Sequence, residues 1–215
     1  VGYVVTSFNA GAMEHATNIT YMAAAVDGTT TWETLMAHEL SHHWFGNNTT
    51  CETAGDMWLN EGWASYAEAI FTESVYGTEA FKEYNRENHD DVLRTLAVNE
   101  GYLPVSGVAS PETYSSTVYD KGADMAHTLR GILGDQIFFD GMKAFQEQYK
   151  FKDISTDKLN EFLSNYSSLN LTSFFTTWVK EKGFHHYEIA DYSAVAQSEG
   201  FSVQGSVKQK LWEAP

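Results

Sequence analysis

The sequence predicts an α+β fold that is mainly helical, and three observations lead there. Two short runs near the amino end, Gly2 to Asn9 and Asn18 to Val26, alternate in the manner of half-buried strands. From Trp32 to Lys182 apolar residues recur at helical spacing between glycine- and asparagine-rich breaks. After His186 alternation returns, in Tyr187 and Ile189 and then Phe201 and Val203. A boundary at about Gly183 to Tyr187 divides the chain into a main domain, residues 1–185, and a second unit starting at 186–215.

Taken in order, Asn9 to His15 joins the two strand-like runs, and Asp27-Gly28 makes a turn. Thr31 is placed to cap a helix over Trp32 to Phe45, although Thr34 at the third helical position leaves the capping box incomplete. Gly46-Asn47-Asn48 supplies left-handed residues to end it. Thr49 to Gly55 reads as a connecting loop. Asp56 is a candidate cap for a long helix, Met57 to Tyr76, stopped by Gly77. Thr78 to Ala97 is a further helix that packs through Phe81, Tyr84, Val92, Leu93 and Leu96. Asn99 to Thr113 contains Gly101, Pro104, Gly107 and Pro111, a loop long enough to line a cleft. Helices are expected at Ser116 to Leu133, Asp135 to Tyr149, Ser155 to Tyr166 and Leu171 to Lys182.

Composition bounds the function. The 215 residues include 6 Trp, 12 Tyr and 13 Phe, enough apolar bulk for a substantial core. Three prolines and no low-complexity run argue against disorder, and no stretch approaches the ~20 apolar residues of a membrane span. The one cysteine, Cys51, allows no internal disulfide; it fits cytosol or periplasm and decides neither. Val1 is read as an internal start, so an excised piece is expected and any leader is out of view. A formal charge of −16 repels phosphate backbones and argues against a nucleic-acid partner. It suits a cationic ligand such as a peptide amino terminus, although a solvated acidic surface accounts for most of it.

The chemistry gathers at His38-Glu39-Leu40-Ser41-His42 and at Glu61. On a helix, residues four apart project from one face, so His38 and His42 can grip one metal ion. Glu39 sits about 100° around from His38, within reach of a metal-bound water without being a ligand. Eighteen residues, 43–60, separate His42 from Glu61, enough for two helices to pack antiparallel and bring Glu61 opposite the imidazoles. Two His and one Glu make a three-ligand zinc site with an open fourth position, the catalytic pattern. Zinc would acidify its water, and Glu39 would take the proton. Chance placement of these polar groups is disfavoured because they lie among Leu35, Met36, Leu40, Trp44 and Phe45, where burial without a metal is costly. Tyr119, one of 12 tyrosines, is a candidate donor to a developing oxyanion.

These residues resemble the catalytic domain of the zinc aminopeptidases related to aminopeptidase N and leukotriene hydrolase, which are gluzincins. The family's Gly-Ala-Met-Glu-Asn motif corresponds to Gly11-Ala12-Met13-Glu14-His15. The zinc motif is whole, and its surroundings Trp44-Phe45-Gly46-Asn47 and Trp58-Leu59-Asn60-Glu61-Gly62 fit as well. The catalytic tyrosine, followed by a Lys-Gly pair, falls on Tyr119 in Tyr119-Asp120-Lys121-Gly122. Order and spacing agree across residues 11–131, and residues 132–185 match the family's helical region in character only. The resemblance implies a thermolysin-like catalytic domain with a short leading β-region and, after His186, the start of a small β-sandwich. It implies one zinc ion held by His38, His42 and Glu61, with Glu39 as base and Tyr119 as oxyanion partner. Glu14 would bind the free amino group of a peptide substrate, the backbone of Gly11 and Ala12 would pair with that substrate like an added strand, and Met13 belongs to the same substrate-binding segment. Removal of amino-terminal residues is then expected. The competing expectations are an endopeptidase or epoxide hydrolase on the same site, or a non-catalytic interaction module derived from the family. The five intact residues His38, Glu39, His42, Glu61 and Tyr119 speak against the module.

One departure stands out. His15 replaces the family's asparagine, which predicts altered loop hydrogen bonding rather than lost activity. The family's large amino-terminal β-domain is missing before Gly11, so this piece is expected to bind zinc but to be a poor peptidase alone; turnover like a full-length relative's would remove that expectation. His43 is expected to point away from the metal, and His185-His186 to be a surface pair. Asn18, Asn165 and Asn170 begin glycosylation-type patterns to which no role is assigned.

Overall fold

The computed structural model describes residues 1–7 and 11–212; the last part of the first strand-like run, the first residues of the connection to Gly11, and residues 213–215 lie outside it. The leading β-region is a small sheet of β1 (Gly2–Thr6), β2 (Ala12–Met13) and β3 (Asn18–Met22), in the order β1-β3-β2. β1 runs parallel to β3 and β2 antiparallel to it, with Ala12 opposite Tyr21 and Met13 opposite Thr20. β2 is therefore an edge strand. The inner face of β3, Ile19 and Tyr21, joins Met22 and Ala25 in a small core against Trp32, Leu35 and Leu40. The Tyr21 hydroxyl donates to the Met36 carbonyl at 3.5 Å. The sheet is thus tied to the next helix.

That helix, α1 (Glu33–Ser41), is shorter than the spacing suggests at both ends. Trp32 takes the N-cap position, while the Thr31 hydroxyl accepts from Thr29 instead of capping. At the other end His42 keeps helical angles (φ −58°, ψ −18°) as the C-cap. The chain then turns through Gly46, whose φ of +137° disfavours any side chain, into β4 (Thr49–Cys51). β4 pairs in parallel with β5 (Lys152–Ile154), a two-stranded contact that spacing alone does not reveal. Asp56 does not cap a long helix. Its carboxylate accepts from Ser106 and Thr156, tying two later segments to a 3₁₀ stretch over Ala54–Leu59. The helix proper, α2 (Glu61–Tyr76), starts at Glu61 itself.

The main core is helical. α2 packs on α3 (Thr78–Asp91), which passes through a π-helical stretch over Val92–Leu96 into the short α4 (Ala97–Asn99). It also packs on α5 (Gly122–Leu133), which α6 (Asp135–Gln148) and α7 (Thr156–Ser167) then follow. Ser155 caps α7 by accepting from the Lys158 N–H. The expected last helix is a short α8 (Thr172–Phe174) running into a π-helical stretch, Phe175–Lys180. Trp58, Leu59, Tyr66, Leu129, Phe138, Phe145 and Leu163 are essentially fully buried. Trp63 stacks between Phe45 and Phe138, with centroids at 5.2 and 5.8 Å, and so anchors the turn after α1 to the α2–α6 core. Past Gly183 the chain forms a long antiparallel ribbon, β6 (Phe184–Gln197) and β7 (Gly200–Trp212). Among the described residues no helix is long and apolar enough to cross a membrane.

Candidate metal centre and active site

Two helices build the site. α1 supplies His38, Glu39 and, at its C-cap, His42; the first residue of α2 supplies Glu61. Glu61 Oε2 lies 3.3 Å from His38 Nε2 and 3.2 Å from His42 Nε2. One ligand atom from each of the three falls within 4.8 Å of the others, and all three residues are buried. His42 is oriented locally, donating from Nδ1 to the Phe45 carbonyl at 2.8 Å. His38 is oriented from afar, donating from Nδ1 to Glu68 Oε1 at 2.9 Å.

The electrostatics follow from this clustering. Burial alone would raise the Glu61 carboxyl, but hydrogen bonds and charge from His38 and His42 prevail and hold it down at about 2. Burial likewise favours neutral imidazoles, yet Glu61 and Glu68 raise His38, and Glu61 raises His42. Without a metal, protons supply the positive charge that the carboxylates demand. A divalent ion can replace them, and its binding would release protons. Two imidazole nitrogens and one carboxylate oxygen are a donor set that suits zinc.

Glu39 faces the same cleft and is 5% exposed. Its Oε2 is buried with no hydrogen-bond partner among the described atoms. Burial pushes its carboxyl up to about 7; His38 and His42 oppose this, and Glu14 and Glu61 add to it. Oxygens of Glu14 and Glu39 and a nitrogen of His42 form a second group lying within 4.8 Å of one another. Glu14 follows the edge strand β2, and its carbonyl accepts from Asn47 Nδ2 at 2.9 Å. The Asn47 of the turn after α1 thus clips the Gly11–Glu14 segment to the end of that helix, a link spacing does not reveal. His15 Nδ1 lies 3.1 Å from Thr20 Oγ1, so the residue that departs from the motif bonds back onto β3. His43 points the other way: its Nε2 accepts from the Thr17 N–H at 3.2 Å.

Tyr119 arrives from the opposite wall, on a π-helical stretch, Thr117–Lys121, that leads into α5. Its ring stacks on His38 with centroids 6.0 Å apart and planes 13° from parallel. Burial, then the charge of Glu61 and a hydrogen bond to it, raise its phenol above the ordinary range, so it stays protonated. Two contacts fix this wall. Glu100 accepts from the Ser116 and Thr117 N–H groups, each at 2.8 Å, capping the stretch that carries Tyr119. Gly62 and Gly122 touch backbone to backbone: a Cβ on Gly62 would lie 2.8 Å from Gly122 Cα. That approach sets Glu61 beside Tyr119. The whole cleft, about 780 Å³, is lined by Gly11, Met13, Glu14, Glu39, Tyr119 and Asp120 among others. A groove of about 510 Å³ beside Trp44 and Met142 lies away from these groups. His185 donates toward the Thr177 carbonyl and packs 4.3 Å from Trp178, away from any ligand cluster among the described residues.

Residues 3–178 match the family model described as the Peptidase family M1 domain. Aminopeptidase N of Lactococcus lactis subsp. lactis is 30% identical over 226 residues, covering 97% of this chain and 27% of that protein. Aminopeptidase N of Canis lupus familiaris is 31% identical over 204 residues, covering 82% of this chain and 21% of its own length. The chain therefore spans about a quarter of the curated relatives it matches. A mutant M1 zinc metallopeptidase from Deinococcus radiodurans, bound to a Tyr-Ser-Ala substrate, superposes with a TM-score of 0.73 at 25% identity, covering 85% of this chain and 40% of that one. Native leukotriene A4 hydrolase of Saccharomyces cerevisiae has the same fold, with a TM-score of 0.72 at 21% identity, covering 85% of this chain and 31% of its own.

Proposed function

The chain belongs to peptidase family M1, and from that membership we propose that it carries the catalytic centre of a zinc aminopeptidase, which removes amino-terminal residues from peptides. The observation that carries the reading is the position of Glu14, whose carboxylate stands within 4.8 Å of Glu39 and His42 ligand atoms. A negative group so close to the reacting centre leaves room for one residue and pairs with an ammonium, which an internal peptide bond lacks.

His38, His42 and Glu61 would hold one zinc ion. When bound, zinc supplies Lewis acidity to a substrate carbonyl and to water. Glu39, with a carboxyl near neutral and an unpartnered oxygen, is suited to take a proton from water and return it to the leaving amine. Tyr119 keeps its proton and can donate to the oxygen on which charge develops. The edge of β2 offers backbone groups to an extended substrate, and Gly11, with a φ of +73° and open space around its Cα, lets that chain approach. Glu14 then fixes the ammonium, and the register of cleavage with it.

The test compares free with amino-blocked aminoacyl amides on a full-length version of the protein. Hydrolysis of the free amide only is expected, and equal cleavage of both would remove the Glu14 role. In parallel, Glu39→Gln should keep one zinc per chain and lose turnover by about 10²-fold or more. Retained turnover would exclude Glu39 as the base.

A further inference from the structure

The two histidines of the metal centre are held by unlike means. His42 is braced by the carbonyl of Phe45, three residues along its own chain, so its orientation follows from the local turn. His38 has no such local acceptor for its Nδ1–H. It donates to Glu68, thirty residues away, whose side chain is 18% exposed. Glu68 stands two turns beyond Glu61 on α2, on the same face. A single helix therefore brings one carboxylate to each side of the His38 ring, Glu61 near Nε2 and Glu68 at Nδ1. The second oxygen of Glu68 is occupied too: Oε2 accepts from the Tyr84 hydroxyl of α3 at 2.9 Å. Both oxygens are thus committed to separate donors, and the carboxylate, at the wall of the cleft, cannot rotate without breaking a bond.

We propose that Glu68, braced by Tyr84, is the positioning residue of the metal centre. It holds His38 as the Nδ1–H tautomer, so that the Nε2 lone pair faces Glu61 and His42. It also raises the basicity of that nitrogen toward a metal. Glu68 lines the cleft but acts on the metal centre through His38. The inference rests on the zinc reading above.

The test uses this chain with zinc, in competition with a chromogenic chelator, and with cobalt(II) as a spectroscopic stand-in. Glu68→Gln should weaken zinc binding about 10-fold and Glu68→Ala up to about 100-fold, with Tyr84→Phe affected less than either. The visible absorption bands of the cobalt form should shift in Glu68→Gln and Glu68→Ala, a change that a purely packing role would not produce. If Glu68→Ala fails to fold, the glutamine and Tyr84→Phe variants carry the test. Parental affinity and an unaltered cobalt spectrum in folded Glu68→Gln would overturn the proposal and leave the metal centre standing. A parent chain that binds no zinc would overturn the centre itself.

Discussion

Tyr119 illustrates how a residue acquires its chemistry from its surroundings. Stacked on His38 and close to Glu61, its phenol is raised above the ordinary range by burial and by the Glu61 charge, so it keeps a proton to donate. Tyr119→Phe removes that donor while keeping the ring in place. The expected result is a fall in kcat of about 10²–10³ with KM little changed, checked by steady-state kinetics beside an unchanged circular dichroism spectrum. At this scale the sequence was legible wherever function requires residues at fixed offsets along one helix. His38, Glu39 and His42 belong to that class; Glu61, on the next helix, was legible through its distance along the chain and its motif. It was silent where one side chain serves another far along the chain. Glu68 on His38, Asn47 on the Glu14 carbonyl and Glu100 on the Ser116 and Thr117 amides have partners 30, 33 and 16–17 positions away. No periodicity records such pairs.

Among elements, the decisive contact is that of α2 with α5. Gly62 and Gly122 meet with no side chain between them, and the atoms a new Cβ would strike are backbone atoms that cannot rotate aside. Gly122→Ala would place a Cβ 2.9 Å from Gly62 Cα. It should cost about 1–3 kcal/mol in urea unfolding. It should also weaken zinc binding, because the residue displaced is the neighbour of Glu61. A variant with unchanged zinc affinity would show that the contact serves stability alone. The helices were foreseeable from apolar spacing because each buries one face on the common core. Their ends were not. α1 stops at Ser41 because the chain must turn at Gly46 to pair β4 with β5, and that pairing joins Thr49 to Lys152 across a hundred residues. Parallel strands of three residues leave no alternation long enough to read.

For the molecule as a whole, acidity is the dominant fact, with a net charge of −16. At Asp120, which lines the cleft beside Tyr119, burial raises the carboxyl to about 6, and the charges of Asp91, Glu68, Glu100 and Asp124 add to the rise. The folded chain therefore binds a proton at Asp120 that the unfolded chain releases nearer pH 3.8, the ordinary value. Where the folded state holds more protons, stability falls as pH rises, so this group favours folding below pH 3.8 and loses that contribution progressively up to about pH 6. Asp120→Asn should flatten the stability profile across that window. It should stabilise the protein at pH 7 by on the order of 1 kcal/mol after solvent screening, measured by thermal unfolding at several pH values. The backbone contact of Gly62 with Gly122 bears on this scale as well. Because Glu61 and Tyr119 are both indexed from one touching point, their separation is set there and at the Glu100 cap of the Tyr119 stretch, rather than by every residue between them. The exposed residues between Glu100 and Ser116, Tyr114 among them, can change and redraw the mouth of the cleft while the spacing of the groups at its floor is kept. Selectivity and chemistry are thereby free to vary on separate schedules.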